Sequence, residues 1–327
     1  MPDHRKKIDK LVAIGLEITR DRATIGLVDQ YGKIHHRFHV KTLRGRPAIA
    51  TLEPFLRALE TALLYAKSNH LRVTGLGVSI PGTLDLTARR PHTIPILPSF
   101  NDFPLCDVLE ARYNLPSHLH VDVDAALLGE YHFGVGKSFR RLLFLNVNTV
   151  VGAAVVIDGK LETSKLAYIG HACHVSVTMG GPCCSCGKYG CINTLISMEA
   201  IQKMVQRALR RGEQTNLIRR LSDREHFSPQ LLAEEALRGD SVALQVYCEV
   251  GRWLAAATAK YINMYEPEVL ILGGGVLCAN ELLIANLRSS LIAQSSSKTC
   301  EMLEIVPSRL GSDAALIGSC VPFLNNS

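Results

Sequence analysis

The residues of this 327-residue chain best suited to chemistry lie between Gly170 and Cys191, in the stretch GHACHVSVTMGGPCCSCGKYGC. Five of the ten cysteines and two histidines fall within these 22 residues. Gly180, Gly181, Gly187 and Gly190 let the backbone fold tightly enough to aim several side chains at one centre. Cys184, Cys186 and Cys191 supply three thiolates and His171 upstream supplies an imidazole. Such a set closes a tetrahedral zinc site, and soft sulfur ligands favour zinc over magnesium or calcium. The competing explanation is a run of buried free thiols, since unpaired cysteine is often a small core hydrophobe. That accounts for Cys106, Cys248, Cys278, Cys300 and Cys320, which stand singly in apolar surroundings. It does not account for cysteines clustered and spaced by glycines. The expected ligands of a structural Zn2+ are therefore His171, Cys184, Cys186 and Cys191. Cys173 and Cys183 remain able to replace one of them or to form a redox pair.

The bulk of the chain says where such a site would sit. A hydrophobic content of 47% with 20% charged residues describes a globular protein long enough for two domains. No run approaches 18 apolar residues, and no signal-type cleavage region follows the basic start MPDHRKKIDK, so a cytoplasmic protein without a membrane partner is expected. Reduced thiols there favour metal over disulfides. The net charge of +6 is mild, and Arg210-Arg211 and Arg219-Arg220 read as solvated helix faces, not as a nucleic-acid groove.

The elements that must position these residues come in two similar series. Leu11–Ile18, Ala23–Val28 and a third run after Asp29-Gln30-Tyr31-Gly32 form strand–turn–strand–turn–strand; Leu142–Val147, Val150–Ile157 and a run after Asp158-Gly159 repeat the plan. Leu52, Phe55, Leu56, Leu59, Leu63 and Leu64 mark an amphipathic helix, followed by a strand over Leu71–Ile80. Residues 91–105, with four prolines, predict an extended loop. Helices are expected over Leu105–Tyr113, Ala125–His132, Ser197–Arg211, Pro229–Leu237, Ser241–Met264 and Ser312–Phe323. Short strands are expected over His118–Val123 and Val269–Leu272. The pattern implies an α/β protein of two related lobes with a cleft between them.

These motifs together resemble the ROK family of sugar kinases and sugar-sensing repressors. The anchors are Cys184-x-Cys186-Gly187-x-x-Gly190-Cys191 with Ile169-Gly170-His171 before it, and Asp122-x-Asp124-Ala125-Ala126-x-x-Gly129-Glu130. Gly77-x-x-x-Pro81-Gly82, Val156 to Lys160, and Leu272-Gly273-Gly274-Gly275-Val276 agree. The resemblance runs from about Leu11 to Leu324. It implies an actin-like (ribonuclease-H-like) ATPase fold of two duplicated lobes around a central cleft. The N-terminal lobe would span 1–123, joined by the C-terminal helix 312–327. The C-terminal lobe would span 124–311 and carry a zinc-binding insertion at 170–191. It also implies a homodimer.

The resemblance further assigns roles. Asp122 stands where kinases of the family place the catalytic base, although a carboxylate ahead of Ala125–Glu130 can also be a helix cap. Asp122, His171, Tyr168 and Asn193 stand at sugar-contacting positions. There Val121 replaces an Asn, and Tyr168 and Asn193 each replace a Glu. Thr149, Gly152, Gly273 and Gly274 stand at nucleotide-binding positions. The first phosphate loop, Asp-x-Gly-x-Thr in kinases, reads Glu17-Ile18-Thr19-Arg20-Asp21 here, which puts a β-branched residue and a carboxylate where phosphate must approach. The second, Gly-Thr-Gly-x-Gly, reads Asn148-Thr149-Val150-Val151-Gly152. The expectation is a sugar-kinase-like protein of impaired kinase chemistry that binds a sugar or sugar phosphate as a sensor. ATP and Mg2+ would be cofactors only in the alternative reading, an active hexose kinase. A third reading is the effector domain of a repressor; about ten residues precede Leu11, too few for a DNA-reading unit, so no operator binding is expected from this chain.

Overall fold

The computed structural model describes residues 10–148, 150–163, 172–222, 227–275, 280–294 and 298–324. They fall into two compact units. Of the described residues, one unit comprises 10–137, 163 and 312–324, and the other comprises the rest, from 138 to 162 and from 172 to 311.

In the first unit, β1 (Lys10–Ile18), β2 (Arg22–Asp29) and β3 (Ile34–Lys41) form an antiparallel meander, and β4 (Leu71–Ile80) returns parallel to β1. A hairpin of β5 (Thr83–Asp85) and β6 (Arg90–Thr93) follows, and β7 (Ser117–Val121) adds parallel to β4. The main sheet runs β3-β2-β1-β4-β7. In the second unit β8 (Arg141–Val147), β9 (Val151–Ile157), β10 (Lys160–Leu161), β11 (Val269–Gly273) and β12 (Glu304–Pro307) give the order β10-β9-β8-β11-β12. Both sheets therefore put three antiparallel strands beside two parallel ones in the same order, as the repeated sequence plan requires. The expected α/β class and actin-like duplication are what is observed. β1, β4, β8 and β11 are near-continuous apolar runs because both faces of a central strand are covered.

Helices land close to their periodicity: Ala48–Ser68, Leu105–Tyr113, Met198–Arg210, Pro229–Leu237 and Ser241–Tyr265. The last three begin at side-chain caps, with Ser197, Ser228 and Asp240 accepting the N–H of Ala200, Leu231 and Ala243. Three expectations need correction. The C-terminal helix expected over Ser312–Phe323 is two, Ala314–Ser319 and Val321–Leu324, interrupted at Cys320. Residues 91–105 are not one extended loop, because Arg90–Thr93 pairs with β5 and Pro98–Phe100 forms a 3-10 turn. Arg89 secures that hairpin, donating to the Glu110 carboxylate and to the Ser117 carbonyl (2.8 Å). The helix after β7 starts at Asp122, not Ala125, with Val121 at its N-cap. The helix Asn280–Gln294 and strand β12 had no counterpart in the expected elements.

One packing detail positions the first unit's polar groups. Gly26, Gly15 and Gly77 are register partners across β2, β1 and β4. A Cβ on Gly15 would lie 2.6 Å from the Leu316 carbonyl oxygen, and one on Gly77 would lie 1.9 Å from that of Ser319. The bare row lets the backbone of helix Ala314–Ser319 rest directly on the sheet. The C-terminal segment is thus integral to the first unit's core.

Candidate functional site

In the second unit the cysteine-rich stretch folds as two isolated antiparallel bridges, Ser176 with Cys191 and Cys183 with Tyr189. Between Cys184 and Lys188 the chain makes a tight knuckle, with Cys184 N–H donating to the Lys188 carbonyl (2.8 Å) and Gly187 N–H to the Cys184 carbonyl (2.9 Å). Gly190 is obligatory here: its φ is +64°, and a Cβ would lie 1.8 Å from the Thr178 carbonyl oxygen. The result brings His174, Cys184, Cys186 and Cys191 together, with one donor atom from each within 4.8 Å of all the others. His174 Nδ1 lies 3.4 Å from Cys184 Sγ, and Cys186 Sγ lies 3.6 Å from Cys191 Sγ. Zinc–sulfur bonds of about 2.3 Å and zinc–nitrogen bonds of about 2.0 Å at tetrahedral angles give donor separations of roughly 3.5–3.8 Å. Two of the cluster's edges are close to those values, all of them lie within 4.8 Å, and its one-imidazole, three-thiol chemistry fits Zn2+.

Three of the four expected ligands are therefore brought together, and among the described residues the imidazole beside them is that of His174. His171 itself, like Tyr168 and Thr149, lies outside the described residues. The 3-10 turn Ala172–His174 delivers the imidazole, and Ile192 N–H donating to the Val175 carbonyl (2.9 Å) ties the following residues to the last cysteine. Spacing along the chain does not single it out: His174 directly precedes Val175-Ser176-Val177, whose chain runs back along Cys191. Cys173 is buried in the hydrophobic core, and burial pushes its thiol up to about 11. Burial and its cysteine neighbours push Cys191 up to about 12, whereas the Lys188 N–H lowers the exposed Cys186 thiol.

The same unit carries the residues assigned to nucleotide. Gly273 closes β11, and a Cβ there would meet the Phe144 ring at 2.5 Å. Gly274 has φ +101°, with the Val147 carbonyl oxygen 2.2 Å from a Cβ. Gly152 pairs with Asn146 inside β9. Asn148 Oδ1 accepts the Gly275 N–H at 2.6 Å, and its carbonyl accepts the Met198 N–H at 3.2 Å. Asn193 Oδ1 accepts the Val151 N–H at 3.2 Å, so this expected sugar contact braces the β8–β9 turn.

In the first unit Asp122 opens the helix Asp122–Phe133, where the helix dipole favours a carboxylate, and its Oδ1 accepts the Val123 N–H at 2.8 Å. Burial nevertheless pushes Asp122 up to about 6. Asp124, two residues on and 5% exposed, is pushed up to about 8 by burial and then by the Asp122 charge. Glu17, near the end of β1, is raised to about 7 by burial, by Asp122 and by Asp313, against the pull of Arg22 and Arg37. Carboxyl groups poised near neutrality at the carboxyl ends of parallel strands are suited to proton acceptance or to holding hydroxyl groups. Sequence reasoning singled out Asp122 alone as the working carboxylate.

Two mixed sheets of identical order, a Cys3His knuckle and a carboxylate at a helix start define an actin-like protein of the sugar-kinase type. The chain belongs to the ROK family, whose model matches residues 13–325. The glucokinase of Thermotoga maritima is 29% identical over 312 residues, covering 95% of this chain and 96% of the relative. The DNA-binding transcriptional dual regulator NagC of Escherichia coli is 25% identical, over 93% of this chain and 73% of its own length. Among solved structures, a ROK family transcriptional regulator homologous to the Escherichia coli MLC protein superposes with a TM-score of 0.88 at 24% identity, covering 95% of this chain and 77% of that one. A ROK family glucokinase from Streptomyces griseus, in complex with glucose and AMPPNP, gives 0.80 at 26% identity over 95% and 99%. No helix among the described residues is long and apolar enough to cross a membrane.

Proposed function

We infer that this ROK protein binds a sugar or sugar phosphate through Asp122 and neighbouring groups and acts as a sensor or regulatory protein with impaired kinase chemistry. The observation carrying this reading is the Asn148 carboxamide, which takes the Gly275 N–H at 2.6 Å. Nucleotide phosphates are held by backbone N–H groups of glycine-rich turns. In this chain a side chain of the first turn already accepts from the glycine run, and Asn193 accepts from Val151 in the same turn. A polyphosphate would have to displace both carboxamides. Thr19 and Asp21 add bulk and negative charge at the other phosphate loop.

Zinc held by His174, Cys184, Cys186 and Cys191 would supply a structural cross-link and no chemistry of its own, since three cysteines and one histidine close the coordination shell. The same reading includes a homodimer, as the family resemblance implies.

A second reading is an active hexose kinase. It is favoured by Asp122, whose acidity near pH 6 suits a general base, and by the glucokinases among the relatives. Calorimetry of the purified protein with glucose, N-acetylglucosamine and their 6-phosphates, each with and without Mg-ATP, separates the two. Sugar binding without Mg-ATP binding supports the sensor. Mg-ATP consumption with any of these sugars at ordinary enzyme rates overturns it. Asn148→Gly, which releases the Gly275 N–H, is expected to raise Mg-ATP affinity by about tenfold, the order of one hydrogen bond to a charged group.

A further inference from the structure

One line of polar residues crosses the first sheet. The ladder sets His39 opposite Thr24, Thr24 opposite Glu17, Glu17 opposite Ser79 and Ser79 opposite His120. Register partners share a face, on strands about 4.8 Å apart. The adjacent row on that face is the glycine row Gly26, Gly15, Gly77 beneath helix Ala314–Ser319. The polar row therefore lies just past the start of that helix, on the side of Asp313. Two residues beyond His120 the chain reaches Asp122.

Part of this row is satisfied, with Thr24 Oγ1 lying 3.3 Å from His39 Nδ1. Its other end is not. Ser79 is fully buried and His120 is 8% exposed, yet neither Ser79 Oγ nor His120 Nε2 has a hydrogen-bond partner among the described residues. Such orphaned groups cost stability unless something occupies the space between them. Glu17 stands on one side of Ser79 and His120 on the other, with Asp122 at the end of the His120 strand.

We propose that Glu17 is a positioning residue for Asp122, the two carboxyl groups sharing one proton through a buried water held by Ser79 Oγ and His120 Nε2. A buried water makes about three hydrogen bonds to polar groups that otherwise lack partners, and this position offers two such groups, Ser79 Oγ and His120 Nε2, with the Glu17 and Asp122 carboxyls as further acceptors. The proton passes from a Glu17 oxygen to the water while a water proton passes to an Asp122 oxygen, so the pair keeps one negative charge throughout. The other charged groups facing the pair fit this arrangement. Arg22 from β2 and Arg37 from β3 stabilise the charge on Glu17, Asp313 opposes it, and Asp124 is itself raised by burial and by Asp122. Neutral Glu17 would then orient an ionised Asp122 toward a ligand hydroxyl, which rests on the reading of Asp122 as the ligand-holding carboxylate.

The test needs neither sugar nor nucleotide, so its outcome is independent of that reading. Carboxyl 13C NMR of the full chain, titrated from pH 4 to 9, is expected to show Glu17 and Asp122 titrating in two mutually dependent steps. Glu17→Gln should collapse them to one step and lower the Asp122 midpoint by about one pH unit. Glu17→Asp should retain two steps. Ser79→Ala should raise the Asp122 midpoint by a similar amount by unseating the water, and His120→Gln provides an independent disruption should Ser79→Ala unfold. An Asp122 titration unmoved by Glu17→Gln and by either disruption would overturn the proposal. So would a Glu17 that titrates alone near pH 4.5.

Discussion

Asp29 illustrates how one residue can hold an element. It is fully buried at the β2–β3 turn, where its Oδ1 accepts the N–H of Tyr31 (2.9 Å) and of Lys33 (3.0 Å). Its Oδ2 meets Lys10 Nζ at 2.6 Å and His35 Nε2 at 2.8 Å. Burial alone would raise its pKa. The Lys10 and His35 contacts and the two N–H donors outweigh that and hold it at about 2. A depressed folded-state value means the contribution is fully present above the unfolded value near 4 and is lost as pH falls from there through 2. Because Lys10 remains 42% exposed and screened by solvent, we expect Asp29→Asn to cost about 1–2 kcal/mol at pH 6 and much less at pH 2.5, measured by urea unfolding at both values. Equal losses at the two pH values would show that shape, not charge, is what Asp29 contributes.

At the scale of elements, two arrangements are most exposed to single changes. The knuckle at 172–191 has little regular structure, so cross-linking by metal must replace a core. One zinc per chain is expected by native mass spectrometry. Cys191→Ser or chelation should lower the melting temperature by roughly 5 °C and open this stretch to proteolysis. A protein that lost zinc with its melting temperature and proteolysis pattern unchanged would rule out a structural role. The glycine row makes a different demand, because helix Ala314–Ser319 lies where side chains would otherwise stand. Gly77→Ala should cost about 3 kcal/mol, the upper range for overpacking, since its Cβ meets backbone and not a side chain that can turn away. Denaturant unfolding checks this, with Gly180→Ala, which meets nothing within 4 Å, as the comparison for crowding.

The molecule as a whole inherits a pH profile from its buried charges. Glu17, Asp122 and Asp124 have folded values raised to about 7, 6 and 8, so their contributions are complete below pH 4 and decline as pH rises through those values. His120 is depressed to about 3 by burial and by His118, so the unfolded chain binds its proton more readily and stability falls as pH drops below 6.5. Between pH 4.5 and 6.5 the three carboxyl groups are opposed by His120 and also by His118 and His132, which burial lowers as well. Below pH 4, His120 and Asp29 act together. Above pH 6.5 these imidazoles are neutral in both states, so thermal stability is expected to decline from pH 6.5 to 8, with Glu17→Gln flattening the decline. A melting curve that rises steadily from pH 6.5 to 8 would contradict these assignments.

What the sequence determined by itself follows from periods and from residue types with few uses. Alternating and helical apolar patterns located most elements, and the repeated hairpin plan foretold two sheets of one order, because a strand or helix must bury its apolar side whatever its neighbours. Clustered cysteines spaced by glycines disclosed a metal-type site, because thiols in that density have few other roles. Tertiary structure decided what depends on register and approach. Val175–Val177 runs beside Cys191, so His174 reached the thiols, a pairing invisible to spacing counted along the chain. Asn148 met Gly275 across 127 residues, and Glu17, Ser79 and His120 became one row only when three strands paired. Each of these turns on contacts of a few ångströms between distant segments, and a one-residue slip in any ladder would have sent the same side chains to the opposite face.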